Sequence, residues 1–186
     1  MQEKMLQVKI DGKEKTYREG TRYLDAAQEL QKYADSRIVL ASVNGRLKEL
    51  TKKMKDGEEI CLLTLKDKNG FMTYRRSMIL LMLKAVYTVG GFELVDRVGV
   101  HYSVGSGFYV TISGEKKTEP TFLKQVEQAM REMVEKKLPI TKTSISTDEA
   151  IELFRRLGME DKEKLFHYRI PSKVNIYDLA GFKDYF

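Results

Sequence analysis

The sequence predicts an α+β protein made of two parts, and three observations carry this prediction. Short alternating strand patterns flank Asp11-Gly12 near the start of the chain, which is typical of a tight hairpin. The stretch from Tyr74 to Tyr87 is apolar on nearly every side and contains neither Gly nor Pro, which is typical of a buried helix. Beyond it, helix and strand patterns continue to alternate, so both parts mix the two kinds of element.

The first part contains one helix among five strands. A helix with Thr21 as its N-cap is predicted from apolar positions at helical spacing, which are Leu24, Ala27, Leu30 and Ala34. The predicted strands are 5–10, 14–18, 38–43, 46–48 and 59–65, with a second tight turn at Asn44-Gly45 and with Asp56-Gly57 before the last strand. This order predicts a β-grasp (ubiquitin-like) fold, in which a sheet wraps across one helix.

The second part begins with the helix at 74–87, which is predicted to end at Gly90-Gly91. Glu119-Pro120 opens another helix, because Pro is favoured in a first helical turn. The capping box Ser146-Thr147-Asp148-Glu149 opens a third, which ends at Gly158. The predicted strands are 92–98, 100–104 and 108–112 around Gly105-Ser106-Gly107, an edge strand opened by Leu138-Pro139-Ile140, and finally 166–170 and 174–177.

Composition limits the classes of function. A formal net charge of +6 suits a weak attraction to RNA or nucleotides, and equally an ordinary solvated surface of mixed charge. The apolar stretch at 74–87 is too short for a membrane span, and no leader pattern precedes the first strand. The single Cys61, between Ile60 and Leu62, predicts a buried thiol, excludes an internal disulfide and makes the cytoplasm the default location.

Motifs for nucleotide, metal or nucleophilic chemistry are missing. The chain contains neither GxxxxGK[ST] nor GxGxxG, so Gly105-Ser106-Gly107 is interpreted as a hairpin turn and not as a phosphate loop. His101 and His167 lie in separate strand patterns without a third His or Cys ligand, so no metal site is predicted. No Ser-His-Asp arrangement is evident from the spacing.

The first part resembles the TGS domain that opens threonyl-tRNA synthetases. The matching stretches are Val8-Lys9-Ile10-Asp11-Gly12, Glu19-Gly20-Thr21, Leu24-Asp25-Ala26-Ala27, Val43-Asn44-Gly45, Leu50 and Asp56-Gly57-Glu58-Glu59-Ile60. TGS domains also occur in some GTPases and stringent-response enzymes. The resemblance therefore implies a small regulatory, RNA-contacting or ligand-contacting module over residues 1–67, and not a catalyst.

Residues 71–186 resemble the α+β editing domain that follows TGS in bacterial-type threonyl-tRNA synthetases and is shared with alanyl enzymes. The matching stretches are Arg75-Arg76-Ser77, Ser106-Gly107-Phe108-Tyr109, Val126-Glu127-Gln128-Ala129-Met130, Leu138-Pro139-Ile140, Glu149-Ala150-Ile151-Glu152-Leu153-Phe154, Lys162 and Phe182-Lys183-Asp184. The chain is expected to be a piece that stops short of this domain's last strands. An unpaired edge there would favour self-association, so a homo-oligomer is a further expectation.

The catalytic residues of that family are replaced. Its helix reads HxxxH, and the two imidazoles meet a later Cys and His around the water that hydrolyses mischarged seryl-tRNA. Here Arg76 and Leu80 stand at the two helical positions, and Phe186 stands at the Cys position. Leucine and phenylalanine neither bind metal nor transfer protons, so no catalytic residue is assigned and editing is expected to be absent.

The resemblance implies a vestigial binding pocket without a metal. Its residues would be Arg76, Lys162 and Asp184. Arg76 is a candidate anion contact, because it stands near the start of the core helix, where negative charge is favoured. Lys162 and Asp184 are the polar pocket residues that persist, and they are also candidates for pairing with each other.

Two functions that involve a ligand or substrate stay open on this evidence, beside a folding or dimerisation scaffold with no ligand. A TGS and editing-like pair without histidines resembles the N-terminal half of uridine kinase-like nucleoside kinases. This chain would then be a regulatory module that senses a nucleotide, an amino-acid-like ligand or RNA without a cofactor of its own. ATP and Mg would belong to a P-loop kinase domain in cis, which this sequence lacks. The alternative is a trans-editing hydrolase or tRNA-binding protein related to the threonyl-tRNA synthetase N-terminal region.

Overall fold

The computed structural model describes residues 4–105, 107–115, 118–168 and 172–185. The chain divides into two compact units, Met1–Arg76 and Ser77–Phe186, with the division inside one long helix. None of the helices in the described ranges has the length and apolar character needed to cross a membrane.

The first unit is a five-stranded mixed sheet with one helix packed on it. Its elements are β1 (Met5–Ile10), β2 (Lys13–Arg18), α1 (Tyr23–Leu30) with a short 3-10 turn (Gln31–Tyr33), β3 (Ile38–Val43), β4 (Arg46–Lys48), β5 (Glu59–Thr64) and the start of α2 (Lys68–Gly90). The strand order is β2-β1-β5-β3-β4, with β1 parallel to β5 and the other neighbours antiparallel. This is the β-grasp arrangement that the sequence predicts for the first part.

Period-two alternation places the core of this unit on one face of the sheet. The inward positions of β1 are buried, and they meet the buried face of α1, where Tyr23, Ala26 and Ala27 lie. Both predicted hairpin turns form. Asp11 and Asn44 adopt the left-handed region with φ near +50°, and each is followed by a Gly that is also left-handed, as such tight turns require.

Within the described residues, the second unit combines most of α2 and three further helices with a hairpin and a three-stranded sheet. Its elements after α2 are β6 (Arg97–Val104), β7 (Gly107–Ser113), α3 (Pro120–Glu135), β8 (Ile140–Ser146), α4 (Thr147–Arg156), α5 (Glu160–His167), β9 (Lys173–Leu179) and β10 (Phe182–Tyr185). The sheet has the order β10-β9-β8, and β6 pairs with β7; both are antiparallel. The capping box predicted at the start of α4 is confirmed, because Ser146 Oγ accepts from the Glu149 N–H while the Glu149 carboxylate accepts from the Ser146 N–H.

Two hydrophobic clusters stabilise this unit. In the larger one, Leu80, Leu83 and Val86 of α2 pack with Phe122 and Val126 of α3. The smaller one gathers around Phe154 and Phe166, whose rings stack with centroids 5.5 Å apart. Both clusters reach the three-stranded sheet, the larger through Leu179 and Phe182 and the smaller through Val174 and Ile176.

Several local predictions were wrong. The first helix begins at Tyr23 with Arg22 as its N-cap, because the Asp25 carboxylate accepts from the Arg22 N–H, whereas Thr21 bonds back to the Arg18 carbonyl. Cys61 is exposed, because the alternation of β5 places it on the outer face of the sheet.

In the second unit, the strand predicted at 92–98 begins only at Arg97, since Leu94 and Val95 donate to the Gly91 carbonyl in a turn. The strand predicted at 166–170 is instead helical as far as His167, where Phe166 packs on Phe154; residues 169–170 are outside the described ranges. The core helix is longer than predicted. Buried side chains lie on several sides of it between Leu80 and Val86, whereas residues 71–76 are exposed or partly exposed.

Candidate functional site

An ion pair between Lys162 and Asp184 is the main polar feature inside the second unit. Lys162 lies in the first turn of α5 and Asp184 on the inward face of β10. The Lys162 ammonium donates to Asp184 Oδ1, which also accepts from the Tyr185 N–H at 2.6 Å. The Asp184 side chain is 3% exposed and that of Lys162 is 23% exposed. The structure thus brings together two of the three residues predicted for the pocket.

Aromatic rings surround this pair. The Lys162 Nζ atom lies 5.7 Å from the centroid of the Phe154 ring. The Phe166 ring stacks on Phe154 and makes a T-shaped contact with Tyr185 at a centroid distance of 4.9 Å. Such apolar surroundings strengthen the attraction between the two charges and make an unpaired carboxylate costly.

Tyr87 belongs to the same polar region but was missed by the sequence analysis. Burial raises the pKa of its phenol, and the nearby carboxylates of Asp161 and Asp184 raise it further. Its ring stacks on Phe92 with centroids 4.7 Å apart. The available signal was spacing, because Tyr87 is seven residues after Leu80 and therefore on the same helical face.

The two positions that the family resemblance assigns to imidazoles differ in surroundings. Leu80 is 1% exposed and packs in the larger core cluster, so its place is filled by apolar contacts. Arg76 is exposed on α2 and is the last residue of the first unit, whereas Lys162 and Asp184 belong to the second. An anion contact by Arg76 stays a prediction. Phe186 lies outside the described residues.

The two histidines lie on different elements. His101 Nε2 is 2.8 Å from Thr111 Oγ1 across the β6–β7 hairpin, and His167 Nε2 is 3.9 Å from a Glu163 carboxylate oxygen on α5. Within the described ranges, no group of three or more His, Cys, Asp or Glu side chains is arranged to hold a metal ion. The contacts that these polar residues make are hydrogen bonds and charge pairs.

A second buried polar network lies in the first unit and was also missed. The Glu58 carboxylate accepts from the Tyr23 hydroxyl at 2.7 Å, the Lys48 ammonium at 2.9 Å and the Lys55 N–H at 2.9 Å. Burial by itself raises the pKa of Glu58, but these hydrogen bonds outweigh it and hold the pKa below its ordinary value. With all its partners inside the unit, the network connects β4, the start of α1 and the loop before β5.

Comparisons with known proteins point in one direction. Residues 9–64 match the model of the TGS domain family. The chain is 33% identical over 182 residues to a threonine–tRNA ligase of Thermotoga maritima, an alignment covering 96% of this chain and 27% of the relative. Threonine–tRNA ligases of Carboxydothermus hydrogenoformans and Geobacillus kaustophilus are 30% and 29% identical, over 92% and 94% of this chain and 27% and 26% of the relatives. The chain thus spans about a quarter of the length of the curated relatives it matches.

Proposed function

We propose, from the premise that this chain carries a TGS domain and is homologous to the N-terminal region of threonyl-tRNA synthetase, that it is a tRNA-contacting module without hydrolytic activity. The observation that carries the proposal is the extent of the match, because 96% of the chain aligns with one such ligase. A resemblance confined to residues 9–64 would leave the function open, since TGS domains accompany several activities. The second unit aligns as well, and this favours the tRNA-related interpretation.

Charge supports the proposal. A net charge of +6 attracts the phosphates of RNA, and the surplus is moderate enough for a specific surface to be needed in addition. The Lys162–Asp184 pair adds hydrogen-bonding groups inside the second unit. Of the two groups, the Lys162 ammonium is the more exposed, and it can donate to a hydroxyl or phosphate oxygen of an aminoacylated nucleotide.

Loss of hydrolysis is the second half of the proposal. Hydrolysis of an ester needs a group that activates water, and His is the residue most often used. Leu80 occupies one of the two helical positions where the family resemblance expects imidazole, and its side chain is packed in the core. The other position is the exposed Arg76, whose guanidinium does not act as a base at neutral pH.

The regulatory module of a uridine kinase-like protein remains a separate hypothesis. Its support is the replacement of the HxxxH pair in the sequence, and the relatives found are ligases rather than kinases. The tRNA-related alternative accounts for both the first unit and the alignment of the second, so we prefer it.

Two measurements test the proposal. Fluorescence anisotropy of a labelled threonine-accepting tRNA transcript should rise with added protein, with an affinity that falls between about 50 mM and about 200 mM salt. Incubation of the protein with seryl-tRNA should release serine no faster than buffer alone. Absence of tRNA binding contradicts the first half of the proposal, and protein-dependent serine release contradicts the second.

A matched titration distinguishes the kinase hypothesis from the tRNA-binding proposal. Isothermal titration with uridine, ATP, threonine and serine is expected to give no heat under conditions in which tRNA binds. Binding of uridine or ATP in place of tRNA would favour the regulatory module of a kinase.

A further inference from the structure

The outer face of the β6–β7 hairpin carries three neighbouring rings that the candidate site does not use. The rings of Tyr102 and Tyr109 stack with centroids 5.3 Å apart. The His101 ring also contacts Tyr109, with a centroid distance of 5.5 Å. Tyr102 is 63% exposed and Tyr109 is 47% exposed. We call Tyr102, Tyr109 and His101 the ring row.

A β-bulge creates the ring row. The register of the hairpin shifts between Val100, which pairs with Val110, and Ser103, which pairs with Phe108. His101 and Tyr102 therefore lie together opposite Tyr109, where regular alternation would send one of them to the other face.

Gly99 and Thr111 hold the histidine in the row. A Cβ atom added at Gly99 would lie 2.9 Å from both His101 Nε2 and Thr111 Oγ1, so the missing side chain makes room for the ring. His101 Nε2 and Thr111 Oγ1 are themselves 2.8 Å apart, within hydrogen-bonding distance. The ring is thus fixed across the strands by a partner on β7.

The ring row is not part of the packed core. The opposite face of the hairpin supplies Val98, Val100 and Ile112 to the larger core cluster, so the hairpin already has its apolar contacts. Large apolar side chains exposed together on a soluble domain usually mark a binding surface. Exposed tyrosines presented on the face of a sheet are what unpaired nucleobases stack on, and every base offers a suitable face.

The charge of the hairpin and of the chain is compatible with an RNA partner. Residues 97–113 contain no Asp or Glu, and Arg97 is their one Lys or Arg, so the hairpin does not repel phosphates. The whole chain has a surplus of six positive charges.

We infer that the ring row is a stacking platform for unpaired nucleotides of an RNA, an inference that rests on the proposed function and specifies where RNA is held. Tyr109 already stacks on Tyr102, so a base would stack on the exposed outer side of Tyr102 and extend the row. Recognition of this kind tolerates sequence differences, because stacking reads the face of a base and not its edge.

The test uses the whole chain and a labelled, unstructured RNA of about ten nucleotides, within the range that such surfaces cover. Tyr102→Ala combined with Tyr109→Ala is expected to weaken binding by about tenfold or more, because each stacked base contributes strongly to affinity. Tyr102→Phe combined with Tyr109→Phe keeps both rings and should bind within about twofold of the unaltered chain. Tyr33→Ala removes an exposed tyrosine of the first unit and is the matched control, with unchanged affinity.

A second readout locates the RNA. With 5-iodouridine in the probe, ultraviolet crosslinking should attach the RNA to the tryptic peptide 98–116, which contains the ring row. Circular dichroism and thermal unfolding of the alanine variant should match those of the unaltered chain, because the removed rings are exposed.

The outcomes distinguish failure of the stacking platform from failure of the proposed function. If tRNA binds but the alanine variant binds the short RNA as well as the unaltered chain does, the platform is wrong and the proposed function stands. If no RNA binds at all, both are wrong. If the substitutions leave RNA binding intact and lower the mass in sedimentation, the ring row is an interface between copies of this chain and the inference is overturned.

Discussion

Lys162 and Asp184 are joined across 22 residues of sequence by a hydrogen-bonded ion pair, and the carboxylate is almost completely shielded from water. The pair connects α5 to β10, the last strand of the three-stranded sheet. Removal of one member leaves the other charge without its partner in an apolar setting, whereas removal of both leaves none. The strength of the interaction between the two charges can therefore be measured by comparing the single substitutions with the double substitution.

Lys162→Ala is therefore expected to lower the free energy of unfolding by about 2 kcal/mol, less than a fully buried pair loses because water reaches the ammonium. Adding Asp184→Ala should cost less than the sum of the single substitutions, with a coupling of about 1 kcal/mol. Urea unfolding followed by circular dichroism measures both quantities.

A matched control for this cycle lies two residues further along α5. Lys164 pairs with Glu160 on the exposed side of α5, with N and O 3.2 Å apart. Lys164→Ala should change the free energy of unfolding by no more than about 0.5 kcal/mol. Equal losses from Lys162→Ala and Lys164→Ala would mean that burial of Asp184 does not matter.

Leu80→Ala tests whether this helical position now serves packing. The substitution empties space in the larger core cluster and should lower the free energy of unfolding by about 3 kcal/mol. Met72→Ala on the exposed part of the same helix is the control and should cost less than about 0.5 kcal/mol. A small effect of Leu80→Ala would indicate an open cavity instead of a packed core at this position.

The parts of the fold that the sequence predicted well are governed by local rules. Asp11-Gly12 and Asn44-Gly45 adopt left-handed turns because these residue types tolerate positive φ, and the capping box at Ser146 forms because its partners are three residues apart. Strand alternation in β1 likewise follows from the period of the pleat.

The wrong predictions depended on contacts between residues far apart in sequence. The segment at Phe166 is helical because its ring stacks on Phe154, which the local pattern of β-branched and aromatic residues does not reveal. Cys61 was assigned to the core from its apolar neighbours, although alternation within β5 places it outside. The Glu58 network and Tyr87 were missed because their partners come from separate elements.

Stability at low pH should depend on Glu58. Its pKa is lower in the folded chain than the ordinary value of 4.5, so its contribution is fully present above that value and is lost as the pH falls below it. Glu58→Gln should therefore lose stability relative to the unaltered chain at pH 7, and the difference should shrink steadily below about pH 4.5.

Urea unfolding across this pH range makes the comparison, with Glu59→Gln as the exposed neighbour. That control is expected to change the free energy of unfolding at pH 7 by less than about 0.5 kcal/mol. A difference for Glu58→Gln that stays constant down to pH 3 would show that the Glu58 carboxylate is not held ionised by Tyr23, Lys48 and the Lys55 N–H.

Cys61 should be exposed yet slow to react. Partial burial raises the pKa of its thiol above 9.0, and the Asp11 carboxylate raises it further, so little thiolate exists near neutral pH.

Asp11→Asn tests this effect of the carboxylate. In the unaltered chain, Asp11 Oδ1 accepts a hydrogen bond from the Leu62 N–H at 3.1 Å. The substitution removes the charge but keeps an amide oxygen that can accept the same bond. Asn also tolerates the left-handed backbone at this turn. A nearby surface charge changes ionisation by about 1 kcal/mol, so alkylation by iodoacetamide at pH 8 should accelerate by about fivefold. Identical rates for the two proteins would mean that Asp11 does not control this thiol.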